Sequence, residues 1–323
     1  MIGQTHGRAV TLGILVAAGV VLVLAAAVIG LLSATGRGSP ALRRELWLRL
    51  ASWAVLLPLM LGPVMLGRVW VIGAVTLLGL LCLREYDRAT GLFREPVMAG
   101  AVALGILFVN FAALDHWYGF FVALFPLTVA VLAVVSLPLD RPDGYIQRTG
   151  LAVFAYMLFG AGLAHLGYMA NDRYYQPLVL LLLTAVAIYD VFAFTAGKLL
   201  GGPKLLPGTS PNKTVSGALG ALCGTTLLVA GVGWPVFRGT RLEDPLLLVG
   251  LGVIVSIAGQ GGDLVLSSIK RDLGIKDMGT VIPGHGGLLD RFNSLLLVAP
   301  AVFHYVGYYV GFGMDQPTRL ITG

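Results

Sequence analysis

Long apolar runs recur along this chain and constrain its fold more than any other feature. An α-helix rising 1.5 Å per residue needs about 20 mostly apolar residues to cross a hydrocarbon core of about 30 Å. Ten windows meet that requirement, near 9–32, 50–66, 67–83, 97–113, 119–137, 150–170, 177–197, 215–234, 246–267 and 293–313. With 57% hydrophobic and only 12% charged residues, a 323-residue chain lies outside the composition of a water-soluble globule. The expected fold is all-α, a polytopic integral membrane protein with about ten transmembrane helices.

The second and third windows are short and meet at Gly67-Arg68, which predicts a tight helical hairpin with Arg68 snorkelling to the interface. Residues 33–45 read as a linker, so that 1–48 form an extra helix with its connection and 49–323 a nine-helix body. A cleaved signal peptide is the alternative for the first window. Its 24 residues exceed a typical signal core, and Arg43, Arg44 and Arg49 follow it rather than precede it.

Lys and Arg total 22 against 16 acidic residues, a formal charge of +6, but they are scattered through short connections rather than gathered in one stripe. That distribution argues against a nucleic-acid partner and for a role in membrane orientation. With the N-terminus external, the cytoplasmic connections carry 16 of these residues and the external segments 6. The two motif-rich connections, 198–214 and 268–292, then share the cytoplasmic face of the cell (inner) membrane, and both termini lie outside. Cys82 and Cys223 sit in separate apolar runs without metal-ligand spacing and read as buried structural thiols.

Ionisable residues inside membrane spans are costly, so each marks a candidate site. Asp190 and Asp263 both fall about 10 Å inside the cytoplasmic ends of their helices, a placement that suggests a shared polar pocket. Pairing within the bundle is the plainer alternative for each. From Asp263, Ser267, Lys270 and Arg271 follow at i+4, i+7 and i+8 on one helical face, a stripe suited to a metal-bound polyphosphate. Asp290, at the mouth of the last span, would join Asp263 in holding Mg²⁺, which favours carboxylates completed by substrate phosphates. His285 stands in a Gly-rich loop and is either a catalytic base or a structural hydrogen-bonding residue. In the other connection, Lys198 and Ser210-Pro211-Asn212-Lys213-Thr214 lack the glycine and the preceding strand of a P-loop. Their hydroxyls and amides at a helix start either attract phosphate or merely cap the next span.

Together these residues carry a resemblance. Ser267-Ser268-Ile269-Lys270-Arg271, Lys276-Asp277 and Pro283-Gly284-His285-Gly286-Gly287-Leu288-Leu289-Asp290-Arg291 resemble the signature of phosphatidate cytidylyltransferase, the CDP-diacylglycerol synthase family. Asp190, Ala193-Phe194, Gly197-Lys198 and Ser210 to Thr214 resemble a second block of that family, and Leu57-Pro58 and Leu83-Arg84-Glu85-Tyr86 resemble its upstream residues. The likeness runs over roughly 50–310 and leaves the first helix aside. Two positions depart from it: Asn293 stands where the family usually has an acid, and Ser216 where it has Glu, each removing negative charge near the site.

The resemblance implies that phosphatidate and CTP give CDP-diacylglycerol and pyrophosphate, within membrane lipid and as a homodimer. It implies catalytic roles for Asp263, Asp290, Lys270, Arg271 and His285, with Mg²⁺ on Asp263 and Asp290. Substrate would be held by Asp190, Lys198, Ser210, Asn212, Lys213, Thr214, Ser267 and Arg291. Two other functions fit parts of the sequence. A CTP-dependent polyprenol or phytol kinase would share the CTP site, and a transporter would use the intramembrane carboxylates, although their clustering at one end leaves no matching outward half.

Overall fold

The computed structural model describes residues 4–36, 39–172, 175–282, 286–312 and 319–323. Among them, nine helical stretches are long and apolar enough to cross a membrane. They are α1 (Gln4–Ala34, apolar from Arg8), α2 (Pro40–Leu66), α3 (Arg68–Thr90), α4 (Pro96–Leu114), α5 (Tyr118–Val134), α6 (Tyr145–Ala155) running into α7 (Leu163–Met169), α8 (Tyr175–Leu200), α9 (Val215–Val236) and α10 (Pro245–Asp272). The expected tenth span is shorter. Residues 293–313 yield α12 (Leu295–Tyr309), about 22 Å long at 1.5 Å per residue, which follows a separate turn, α11 (Leu289–Phe292), and already ends at Tyr309.

The helical hairpin at Gly67 forms as its sequence predicts, with Gly67 at φ +128° and ψ 171° between α2 and α3. Arg68 does more than snorkel. Its guanidinium donates to Asn171 Oδ1 at 2.6 Å and to the Leu114 carbonyl at 2.8 Å, tying three connections together. The predicted linker is also shorter than expected, since Ser39 caps α2 through the Leu42 amide at 3.2 Å and Pro40 starts the helix. The expected boundary between 48 and 49 therefore falls inside the continuous α2.

Lipid offers no hydrophobic drive between helices, so close backbone approach has to supply the packing. On α9, Gly217, Gly220 and Gly224 face Ala193, Ala196 and Phe192 of α8, and a methyl group at Gly220 would lie 2.1 Å from Ala196 Cβ. Gly252 lets α10 meet α9 at Thr226, and Gly262 lets α10 pass the Asn293 carbonyl, 2.4 Å from where a Cβ would stand. The opposite face of α9 is apolar and exposed at Leu219 and Leu227. Cys223 lies on that outward stripe rather than in the core, whereas Cys82 is buried as expected.

A π-helical turn, Tyr156–Gly162, joins α6 to α7. Tyr156 fills the space beside Gly105 and Gly160, and its hydroxyl satisfies the Leu124 carbonyl at 3.0 Å. The connection 198–214 holds an antiparallel hairpin that the sequence did not suggest, β1 (Lys204–Leu206) with β2 (Ser210–Thr214), Lys204 opposite Thr214 and Leu206 opposite Ser210.

The connections sort into two sets, one at each end of the bundle. Arg68, Leu114 and Asn171 meet at one end, where Asp115 also gathers residues 320–322: its Oδ1 accepts the amides of Leu320 (3.1 Å), Ile321 (2.6 Å) and Thr322 (3.1 Å), and its Oδ2 the Thr322 hydroxyl (2.5 Å). Arg319 lies over the Trp117 ring, 4.4 Å from its centre. The Thr322 hydroxyl first, then these amides, holds the Asp115 carboxyl below its ordinary value of 3.8. A lowered folded value means that the clasp is intact above pH 3.8 and loosens as pH falls through the lowered value. The Trp117 share of the tryptophan emission, isolated by subtracting a Trp117→Phe variant, is expected to stay constant from pH 7 to about 5 and to change only in stronger acid. Asp115→Asn should show the released emission already at neutral pH.

Candidate active site

At the other end of the bundle, α10 holds the two long connections in place. Asp263 lies well inside the helix, in a glycine-rich stretch whose lack of side chains admits α12 on one side. Its Oδ2 takes the ammonium of Lys213 from β2, and its Oδ1 accepts from Asn293 Nδ2 at 2.6 Å. Asn293 Oδ1 in turn accepts the Ser294 amide at 2.7 Å, so both ends of this side chain are committed and its orientation is fixed. Asp190 approaches from α8 and interacts electrostatically with Asp263, Lys213 and Arg291, while Tyr189 beside it is buried. Asp190 itself is exposed and lies within electrostatic range of Asp263, without a hydrogen bond to it among the described residues.

Two helical turns beyond Asp263, a second pair forms. Lys270 Nζ donates to Asp290 Oδ1 at 2.8 Å, and Asp290 Oδ2 accepts the amides of Met278 and Gly287, both at 2.9 Å. Asp290 keeps only 5% of its side chain exposed. Arg271, on the outer flank of the stripe, reaches the Thr209 carbonyl in the β-hairpin turn at 3.3 Å. The helical spacing read from the sequence therefore does what it implies, since one face of α10 contacts both connections.

Other expected residues stand apart from this cluster. Lys198 folds back over the Phe194 ring, 5.6 Å from its centre, and Asn212 is exposed on β2. Ser210 begins β2, and Ser267 is buried at 9% exposure. Thr214 caps α9 by accepting the Gly217 amide at 3.1 Å, the plainer of its two readings. Ser216 donates to the Gly201 carbonyl and so secures the base of the hairpin. His285 lies outside the described residues.

The sequence likeness included Glu85, within Leu83-Arg84-Glu85-Tyr86, but gave it no role. It projects from α3, accepts the Leu288 amide on Oε1 and the Leu289 amide on Oε2, both at 2.8 Å, and is 7% exposed. The available signal was that likeness alone, since Glu85 stands among Arg84, Asp87 and Arg88 in the charged last turns of α3, and nothing local connects it to a partner more than 200 residues away.

Among the described residues, no group of three or more His, Cys, Asp or Glu side chains gathers around one point. Mg²⁺ needs only one or two carboxylates when substrate phosphates complete its shell. Asp263 fits that use, with the Lys213 ammonium already against it as a cation would be. The expected pairing of Asp263 with Asp290 fits less well, because three donors occupy the Asp290 carboxylate and brace the loop through it.

Comparison with known proteins gives this geometry a family. The sequence pattern of the Cytidylyltransferase family matches residues 47–309. The "Uncharacterized protein YnbB" of Escherichia coli (strain K12) is 28% identical over 271 residues, 82% of this chain and 88% of that one. The phosphatidate cytidylyltransferase of Rickettsia bellii is 38% identical over 146 residues, covering 44% of this chain and 63% of its own. That of Staphylococcus aureus (strain COL) is 42% identical over 116 residues, covering 36% and 43%. Because the family match takes in every helix that contributes to the cluster, this multi-pass membrane protein belongs to the cytidylyltransferase family.

Proposed function

We propose that the protein is a phosphatidate cytidylyltransferase, which converts phosphatidate and CTP to CDP-diacylglycerol and pyrophosphate. One observation carries the reading: Asp263 and Lys213 pair at the end of a helical bundle of this family, with Asp190 within electrostatic range of both and of Arg291. Such a cluster suits a reaction in which both substrates are anions and one of them is anchored in lipid.

In this reaction an oxygen of the lipid phosphate bonds to the α-phosphorus of CTP as the bond to the α,β-bridging oxygen breaks, and pyrophosphate leaves. The attacking group is already an anion, so no Ser or Cys nucleophile is required. The protein's task is to bring two anions together and offset their charge, which is mostly positioning and electrostatics. Lys213 and Arg291 would hold the triphosphate against the cluster, with Arg271 and Lys198 at its rim. Lys270 would keep the Asp290 loop in register. Bound Mg²⁺, held by Asp263 with Asp190, would supply further neutralisation of the phosphate oxygens. A homodimer, and a site facing the cytoplasm across the cell (inner) membrane, belong to the same reading. The charge count supports that orientation.

CTP labelled at the α or γ phosphorus tests the reaction directly. Purified protein with phosphatidate and Mg²⁺ is expected to move α label, not γ label, into lipid, and Asp263→Asn should lower that transfer at least ~100-fold while the protein stays folded. Transfer of γ label alone would assign a lipid kinase instead.

Cysteines introduced at 205 and 280 are expected to react with impermeant maleimide only from the cytoplasmic side. Labelling from outside at either position would reverse the topology.

Asn293→Asp would set a second carboxylate against Asp263 in place of a donor, so it should change apparent Mg²⁺ affinity more than turnover at saturating metal. Turnover measured against Mg²⁺ concentration in both forms decides this. A native protein inactive on every lipid acceptor and rescued only by this substitution would overturn the reading.

A further inference from the structure

Glu85 belongs to α3, a helix that packs on α4 and α7 rather than on α10. It nevertheless reaches the loop that carries Asp290. Its two carboxylate oxygens take the Leu288 and Leu289 amides, one each, at the start of the turn that contains Asp290 and Arg291. The loop closes around this carboxylate at two glycines. A Cβ at Gly279 would lie 2.8 Å from Oε1, and one at Gly287 would lie 2.6 Å from Oε2 and 2.7 Å from the Gly279 amide nitrogen. Gly287 and Met278, on the two arms of the loop, both donate to Asp290. A continuous set of contacts therefore runs from α3 through Glu85 and the Leu288 and Leu289 amides to Asp290 and Lys270 on α10.

We infer that Glu85 is a positioning residue for the nucleotidyl-transfer site: it sets where the Asp290–Lys270 pair and Arg291 stand without touching substrate. The inference rests on the function proposed above. It requires a carboxylate, because two backbone N–H groups converge on two acceptors. Glutamine, of the same size, offers one acceptor and turns an NH₂ group toward the other amide. Leaving such a buried donor unpaired is costly, and the loop must shift to relieve it.

Glu85→Gln tests this in the full-length protein. It is expected to lower kcat for α-label transfer about tenfold or more, with KM for CTP changed less than threefold. Hydrogen exchange at the Met278 and Gly287 amides, which bond to Asp290 and not to Glu85, should become at least tenfold faster. Wild-type kcat, or unchanged exchange at those two amides, overturns the inference. Gly279→Ala provides a second route, since its methyl group presses on the same carboxylate from the loop side. It is expected to change kcat and exchange in the same direction, and it decides the matter if Glu85→Gln does not fold. The exchange measurement needs no turnover. Loss of the brace with no α-label transfer by the wild-type protein would leave Glu85 a positioning residue of the loop and refute the proposed reaction, whereas transfer with an unmoved loop would refute the role of Glu85 alone.

Discussion

A carboxylate inside an apolar helix has to find its counter-charge within the protein, and Asp263 finds it in Lys213. That requirement reaches well beyond one ion pair. Lys213 lies on a β-strand, so the hairpin of 204–214 is drawn against α10, and Arg271 secures the hairpin turn from the same helix. Asn293 satisfies the other oxygen of Asp263 and so fixes where the chain enters α12. Lys270 repeats the arrangement with Asp290 further along. Charges on one helix thus reach both connections, and in the second one buried Met278, Ile282 and Leu289 add hydrophobic anchoring.

The bundle that supports this helix is held by absence of side chains. Gly217, Gly220 and Gly224 bring α9 against α8, Gly252 brings α10 against α9, and Gly262 brings α10 against the start of α12. Close approach is what makes a single polar cluster available to residues from α8, α10, β2 and α11. Had Gly262 carried a methyl group, it would meet the Asn293 carbonyl and push away the residue that holds Asp263. Packing and chemistry are coupled at that position.

Much of this was legible in the sequence, and the omissions have physical causes. Spans were readable because a membrane demands a run of a fixed length, and Gly67 was readable as a turn because both flanking runs are short. The stripe from Asp263 to Arg271 was readable because helical periodicity places residues without further information. The hairpin was not. Its strands are only three and five residues long, and their placement depends on a helix elsewhere in the chain. The length of α12 was overestimated because apolarity continues past Tyr309 into Val310 and Phe312, although the helix ends at Tyr309. At Asp290 the sequence shows a carboxylate at a helix mouth but not the two amides and the ammonium that it accepts.

The two departures from the family pattern have different physical weight. Ser216, where the resemblance leads one to expect an acid, stands at the base of the hairpin, where its hydroxyl donates to the Gly201 carbonyl and lies 3.1 Å from the Thr214 hydroxyl. A carboxylate there would face a carbonyl oxygen, so in this chain the serine is the residue that matches its surroundings. Asn293 is different, because it touches the site itself. It must donate to Asp263 and accept from Ser294 at once, and of the two side chains only the amide does both without a bound proton or cation. Asp263 in this chain therefore has its charge offset by one ammonium and one amide before any ligand arrives. An acid at position 293 would instead leave two carboxylates in contact, a pair that demands a cation between them. The substitution thus moves the cluster from one that needs an added cation for its own stability toward one that stands without it.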